Sequence, residues 1–150
     1  PRRPEDHVVD AAMWGGVILI GAVMAAATLG TLDIFLPGGL VDIAGVSTDD
    51  LTRARTAAFT TLVLAQLFNT LNSRSETVSA FSHLLVNRWL WGAIALGVVL
   101  QIAVVEVPLL QAAFSTSSLD PLHWGVTVVM ASLVLWFDEV RKAVRRARTR

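Results

Sequence analysis

No cysteine occurs among the 150 residues, so a disulfide framework, a thiolate metal site and a cysteine nucleophile are all excluded. Charge is scarce as well: Asp, Glu, Lys and Arg make up 16% of the chain against 54% hydrophobic residues, and the mean hydropathy is +0.61. An ordinary soluble domain of this length is less apolar and more charged. The solvent implied for this chain is a bilayer. A Gly-rich phosphate loop, a histidine-rich cluster and a nucleophile–base pairing are also missing, so the chain by itself holds nothing that would run a covalent reaction. It opens on Pro1-Arg2-Arg3-Pro4 with neither an initiator methionine nor a signal-peptide pattern, and so reads as the tail of something longer.

Four stretches are free of charge for long enough to cross a hydrocarbon core of about 20 helical residues: 11–32, 56–73, 89–105 and 121–137. The expected fold is all-α, a polytopic membrane protein with four transmembrane helices over about 11–33, 54–73, 88–107 and 121–143, forming one domain across residues 1–150. The net charge of zero hides an asymmetry. Arg2 and Arg3 precede the first helix, Arg74 and Arg88 flank the loop between the second and third, and Arg141, Lys142, Arg145, Arg146, Arg148 and Arg150 follow the fourth. Only Arg53 and Arg55 fall in the first loop. With an even number of spans, the positive-inside rule puts both termini in the cytoplasm, and the expected location is a bacterial plasma membrane. The basic end of the last helix, where Glu139 is spaced to pair with Lys142, suits anionic lipid headgroups rather than nucleic acid.

Local signals mark the helix ends. Pro37-Gly38-Gly39 forces a turn, Ser47-Thr48-Asp49-Asp50 offers a cap for the second helix, Asn87 a cap for the third, and Asp120-Pro121 opens the fourth. Glu106-Val107-Pro108 interrupts the third near its outer end. Trp14, Trp89, Trp91 and Trp136 belong to one predicted interface and Trp124 to the other, as anchoring belts. His123 reads as a surface or packing residue because no second metal ligand sits at helical spacing. In the first helix, Gly21 with Ala25 and Ala26 with Gly30 have the small-xxx-small spacing that lets two backbones approach in lipid.

The chemistry left over lies in the second helix. At spacing i, i+3, i+6, Gln66, Asn69 and Asn72 are expected to fall along one helical stripe of a segment otherwise supplied with Leu62, Val63, Leu67 and Phe68. Carboxamide oxygens are hard ligands for an alkali or alkaline-earth cation if other helices complete the shell. The same groups also serve as hydrogen-bonding glue between helices. Spacing alone leaves both readings open.

A resemblance narrows them. Ala54-Arg55-Thr56-Ala57-Ala58-Phe59-Thr60-Thr61-Leu62-Val63-Leu64, continuing through Gln66-Leu67-Phe68-Asn69-Thr70-Leu71-Asn72-Ser73-Arg74-Ser75-Glu76, resembles the eighth transmembrane helix of P-type cation-transporting ATPases of the calcium-pump group. Asn87-Arg88-Trp89-Leu90-Trp91-Gly92 is similar to the start of their ninth helix, and Phe137-Asp138-Glu139-Val140-Arg141-Lys142 to the exit of their tenth. The resemblance implies helices seven to ten of a pump whose phosphorylated aspartate, nucleotide pocket and main ion ligands lie upstream. The parent would use Mg²⁺ and ATP to move a cation, with Ca²⁺ implied. No cofactor is expected within the chain itself, and its partners would be the bilayer and the remaining helices and cytoplasmic domains of the pump. Gln66 stands where two-site calcium pumps place a glutamate, Asn69 matches a polar position one turn on, and Asn72 is expected to be structural. Gly21, Ala25 and Gly30 would face the missing fifth helix, without which poor folding is expected. The alternatives are a non-enzymatic four-span membrane protein, such as a pump remnant or a regulator of another pump, and a small self-assembling channel.

Overall fold

The computed structural model describes residues 11–41, 43, 45–73 and 88–148. Within them lie five helices: α1 (Ala11–Phe35), α2 (Leu51–Asn72), α3 (Arg88–Glu106), α4 (Pro108–Phe114) and α5 (Pro121–Arg148). No strand occurs among the described residues. Arg2, Arg3, Arg74, Arg150 and the Asn87 cap lie outside them.

Short-range chemistry sets the helix ends. After α1, the Asp33 carboxylate accepts hydrogen bonds from the amides of Leu40 (3.0 Å) and Val41 (3.1 Å), folding the chain back over the helix terminus. Gly38 takes a φ of 76° inside that turn, and at Gly39 a Cβ would collide with the backbone carbonyl of Asp33. Asp50, extended at φ −84° and ψ 99°, caps α2 by accepting from the Thr52 amide at 2.9 Å.

Pro108 ends α3. It has no N–H to offer the Val104 carbonyl one turn back, and the Thr116 hydroxyl supplies that bond instead at 2.6 Å. The Gln111 side chain likewise donates to the Val105 carbonyl. The chain therefore restarts at once as α4, in a region that reads from sequence as loop, and Ser115 closes it in the left-handed region at φ 54°.

The other long helices pack about α2, with α1 and α3 antiparallel to it and α5 parallel. One core cluster joins Ile34 and Phe35 of α1, Ala54 and Ala57 of α2, Val105 of α3, and Val46 and Leu119 of the connecting loops. The other joins Ile20 and Met24 of α1 with Leu64 and Ala65 of α2 and Ala131 and Val134 of α5. Along α1 the partners on α2 run in the opposite sense, whereas along α5, from Asp120 beside Arg53 to Lys142 beside Asn72, they run in the same sense. From the far side, Gly97 of α3 meets Leu67, whose Cδ2 lies 2.9 Å from where a Cβ would sit. Small residues on α2, including Ala54, Ala57, Ala58 and Ala65, let three neighbours come close.

Among the described residues, three helices are long and apolar enough to cross a membrane: α1, α3 and α5. The expected second span, residues 56–73, is not among them. Its threonines and carboxamides lower its hydropathy, and burial against α1, α3 and α5 removes the need for an apolar surface on most of its circumference.

The other expectations fare unevenly. The buried face of α1 runs through Ile20, Met24, Ala27, Thr31 and Ile34. Gly21, Ala25 and Ala26 turn outward, but Gly30 packs inward, with the Met130 Cε 3.0 Å from its Cβ position, so it does not share the Gly21–Ala25 face. His123 is buried against the Phe35 ring at 4.8 Å between centroids. Glu106 accepts from the Trp124 indole at 3.1 Å.

Candidate functional site

A helix turns about 100° per residue, so a step of three falls about 60° short of a full turn. Gln66, Asn69 and Asn72 therefore swing through about 120° rather than lining one face. The structure follows that drift: Gln66 is exposed, Asn69 half-buried and Asn72 buried. The sequence reading of a single stripe is corrected accordingly. The outward face of α2 is narrow, running through Arg55, Phe59, Leu62, Gln66 and Thr70.

Most inward polar groups of α2 are closed in pairs. The Thr31 and Thr61 hydroxyls lie 3.0 Å apart, with Thr31 donating to the Ala27 carbonyl at 2.9 Å. Gln101 of α3 donates to the Thr60 hydroxyl at 2.9 Å. The Thr56 hydroxyl donates to the Thr52 carbonyl and accepts from the Ser117 amide at 3.0 Å. Asn72 donates its amide to the Val134 carbonyl at 3.2 Å, while its own Oδ1 is buried with no partner among the described residues. Each pair fixes one neighbour against α2 where an unpaired polar atom would be costly.

At the end where α2 stops and α5 leaves the bundle, Asp138 is 1% exposed and sits between two cations. Lys142, also 1% exposed, places its ammonium 2.9 Å from one carboxylate oxygen and donates to the Asn72 carbonyl at 3.1 Å. Arg141 holds the other oxygen through Nη2 and Nε. Sequence spacing pointed Lys142 to Glu139; the structure gives it to Asp138, one turn back on the face that packs against α2. Lys142 thereby satisfies the last carbonyl of α2, a favourable place for a cation. Sequence reading missed this clamp because an Asp in an exit segment normally signals solvent.

The carboxamides of Gln66 and Asn69 are different. Neither has a hydrogen-bond partner among the described residues, while the backbone carbonyl of Gln66 already accepts from the Thr70 hydroxyl at 3.0 Å. No group of three or more His, Asp or Glu side chains gathers into a metal-binding set among the described residues. A cation held at this face would take neutral oxygens from α2, with charged ligands from outside the described residues.

These features define an all-helical, multi-pass membrane domain whose central helix is locked on its inner side and open on a narrow outer one. The profile of the family described as "Cation transporting ATPase, C-terminus" matches residues 1–144, and the chain belongs to that family. Similar relatives include the calcium-transporting ATPase of Bacillus subtilis, 29% identical over 133 residues, covering 89% of this chain and 14% of that protein. The calcium-transporting ATPase type 2C member 2 of Mus musculus is 33% identical over 147 residues, covering 94% of this chain and 15% of that protein. The type 2C member 1 protein of Homo sapiens is 36% identical over 97 residues, covering 64% of this chain and 11% of that protein. The chain thus spans about a seventh or less of these relatives.

Proposed function

We infer that the chain is the C-terminal membrane domain of an ATP-driven calcium pump, crossing the bilayer four times with both ends in the cytoplasm. The observation that carries this reading is the contrast on α2. Most of its inner polar groups are spent on neighbours, whereas the carboxamides of exposed Gln66 and half-buried Asn69 have no partner among the described residues. The outward strip is where the ion-binding helices of the parent pump would pack, and there the two carboxamides would contribute oxygen ligands to transported Ca²⁺.

Four crossings are supported by length and shelter. The 22 residues of α2 extend about 33 Å, enough for a hydrocarbon core, and its polar side chains face protein instead of lipid. An even count places both termini together, and the basic residues around them favour the cytoplasmic side of a plasma membrane. A bacterial origin fits the Bacillus relatives. Mg²⁺, ATP and the phosphorylated aspartate belong to the remainder of the parent. The domain braces the moving helices. A glutamine at position 66, in place of a carboxylate, keeps an oxygen ligand without the charge and favours one calcium ion per cycle over two.

The test is ATP-driven ⁴⁵Ca²⁺ uptake into vesicles by the full-length parent, comparing Gln66→Ala and Gln66→Glu with the wild type. Gln66→Ala is expected to weaken apparent calcium affinity about tenfold, a loss of about 1.4 kcal/mol. Gln66→Glu is expected to shift affinity or stoichiometry. Unchanged transport in both variants would leave this domain as a scaffold only.

A further inference from the structure

Where α1 enters and α5 leaves the bundle, the two helices part around a groove of about 430 Å³ lined by Gly15, Gly16, Leu19, Phe137, Val140 and Val144, with Arg141 and Arg145 at its rim. The groove exists because α1 carries two glycines at this level. A Cβ at Gly15 would meet nothing within 4 Å, and one at Gly16 would lie 3.0 Å from Nη1 of Arg141.

The depth is that of a membrane surface. Trp14 and Trp136, each one residue from a lining residue, are each 57% exposed, and exposed indoles settle at headgroup level. The end of α5 is rich in cations: residues 138–148 carry Arg141, Lys142, Arg145, Arg146 and Arg148 with Asp138 and Glu139. Arg141 and Lys142 both bind the single carboxylate of Asp138.

The order of surfaces points to the occupant. Phe137 and Arg145 are eight residues apart on α5, about 12 Å along a helix. Over that length the walls are apolar below, and at the rim stand Arg145 and Arg141, whose Nη1 lies beside Gly16 while Asp138 holds its Nε and Nη2. An acyl chain with an anionic headgroup matches that sequence of apolar wall and cationic rim.

We propose that this groove is a binding site for one anionic phospholipid, its acyl chain along Gly15, Leu19 and Val140 and its phosphate at Arg141 and Arg145. The site depends on α1 and α5 alone and stands whether or not α2 contributes to ion transport.

Native mass spectrometry of the full-length protein that contains this chain, in mild detergent with phosphatidylglycerol or phosphatidylcholine at equal concentration, tests it. Retention of phosphatidylglycerol over phosphatidylcholine is expected. Gly15→Leu is expected to abolish that excess by filling the groove, while Gly15→Ala keeps it. Arg145→Gln is expected to reduce it about fivefold, and Arg145→Lys to preserve most of it. Equal retention of the two lipids would overturn the proposal, as would excess phosphatidylglycerol in Gly15→Leu, which would place the lipid elsewhere or a protein segment over the groove. Displacement of the lipid by millimolar inorganic phosphate would show that the rim recognises a free anion and would overturn it too. If Gly15→Leu fails to fold, the lipid preference of the wild type and of Arg145→Gln still decides the matter.

Discussion

The two sides of α2 carry the same kinds of polar group and use them differently. Inside, Thr60, Thr61 and Asn72 meet Gln101, Thr31 and the Val134 carbonyl. On the other side, exposed Gln66 and half-buried Asn69 meet no partner among the described residues. A carboxamide on α2 is therefore tied or left untied according to the side it occupies. One turn of helix separates the two.

The comparison breaks hardest at the clamp. Asp138→Ala leaves the ammonium of Lys142 buried with only the Asn72 carbonyl for company. A loss of about 3–5 kcal/mol is expected for an uncompensated buried charge, read as a lowered denaturation midpoint of the full-length protein in detergent. Little change would mean that this end of the bundle opens to water and that the inner side is looser than drawn.

A smaller effect belongs to the hydroxyl–carboxamide pair between α2 and α3. Thr60→Val or Gln101→Leu alone leaves one buried partner unpaired and is expected to cost about 1–3 kcal/mol. The double variant should recover part of that loss. A thermodynamic cycle should give a coupling of about 0.6 kcal/mol or somewhat more, as for other polar pairs in membranes. Strict additivity would remove Thr60 from the glue.

The smallest effect is expected on the outer side. Gln66→Leu should leave stability within about 0.5 kcal/mol, since the side chain has no hydrogen-bond partner among the described residues, while calcium uptake by the parent is expected to weaken. A destabilisation equal to that of Thr60→Val would erase the difference between the two sides.

Much of the frame was legible in the residues because helix ends are decided locally. Asp50 caps α2 by reaching two residues along its own chain, and Pro108 ends α3 by lacking an N–H. The long apolar stretches of α1, α3 and α5 were legible for the same reason, as composition sums over neighbours. The site was half legible. The presence of carboxamides on α2 could be read directly, but their separation into buried and exposed could not, because it depends on where α1, α3 and α5 touch the helix. Gln101 sat unremarked in an apolar stretch, although a lone carboxamide there is a usable sign of a buried partner.

The sequence by itself determined that the chain is helical, belongs in a bilayer and turns where its prolines, glycines and caps demand, since each of these follows from the residue and its near neighbours. Only the tertiary structure decided that the helix rich in threonines and carboxamides sits at the centre, that Lys142 closes on Asp138 and the end of α2, and that Gly30 looks inward while Gly21 looks out. Those outcomes depend on contacts between residues far apart in the chain. In a medium as apolar as the side chains themselves, small residues and satisfied polar groups, rather than hydrophobicity, choose which helices meet.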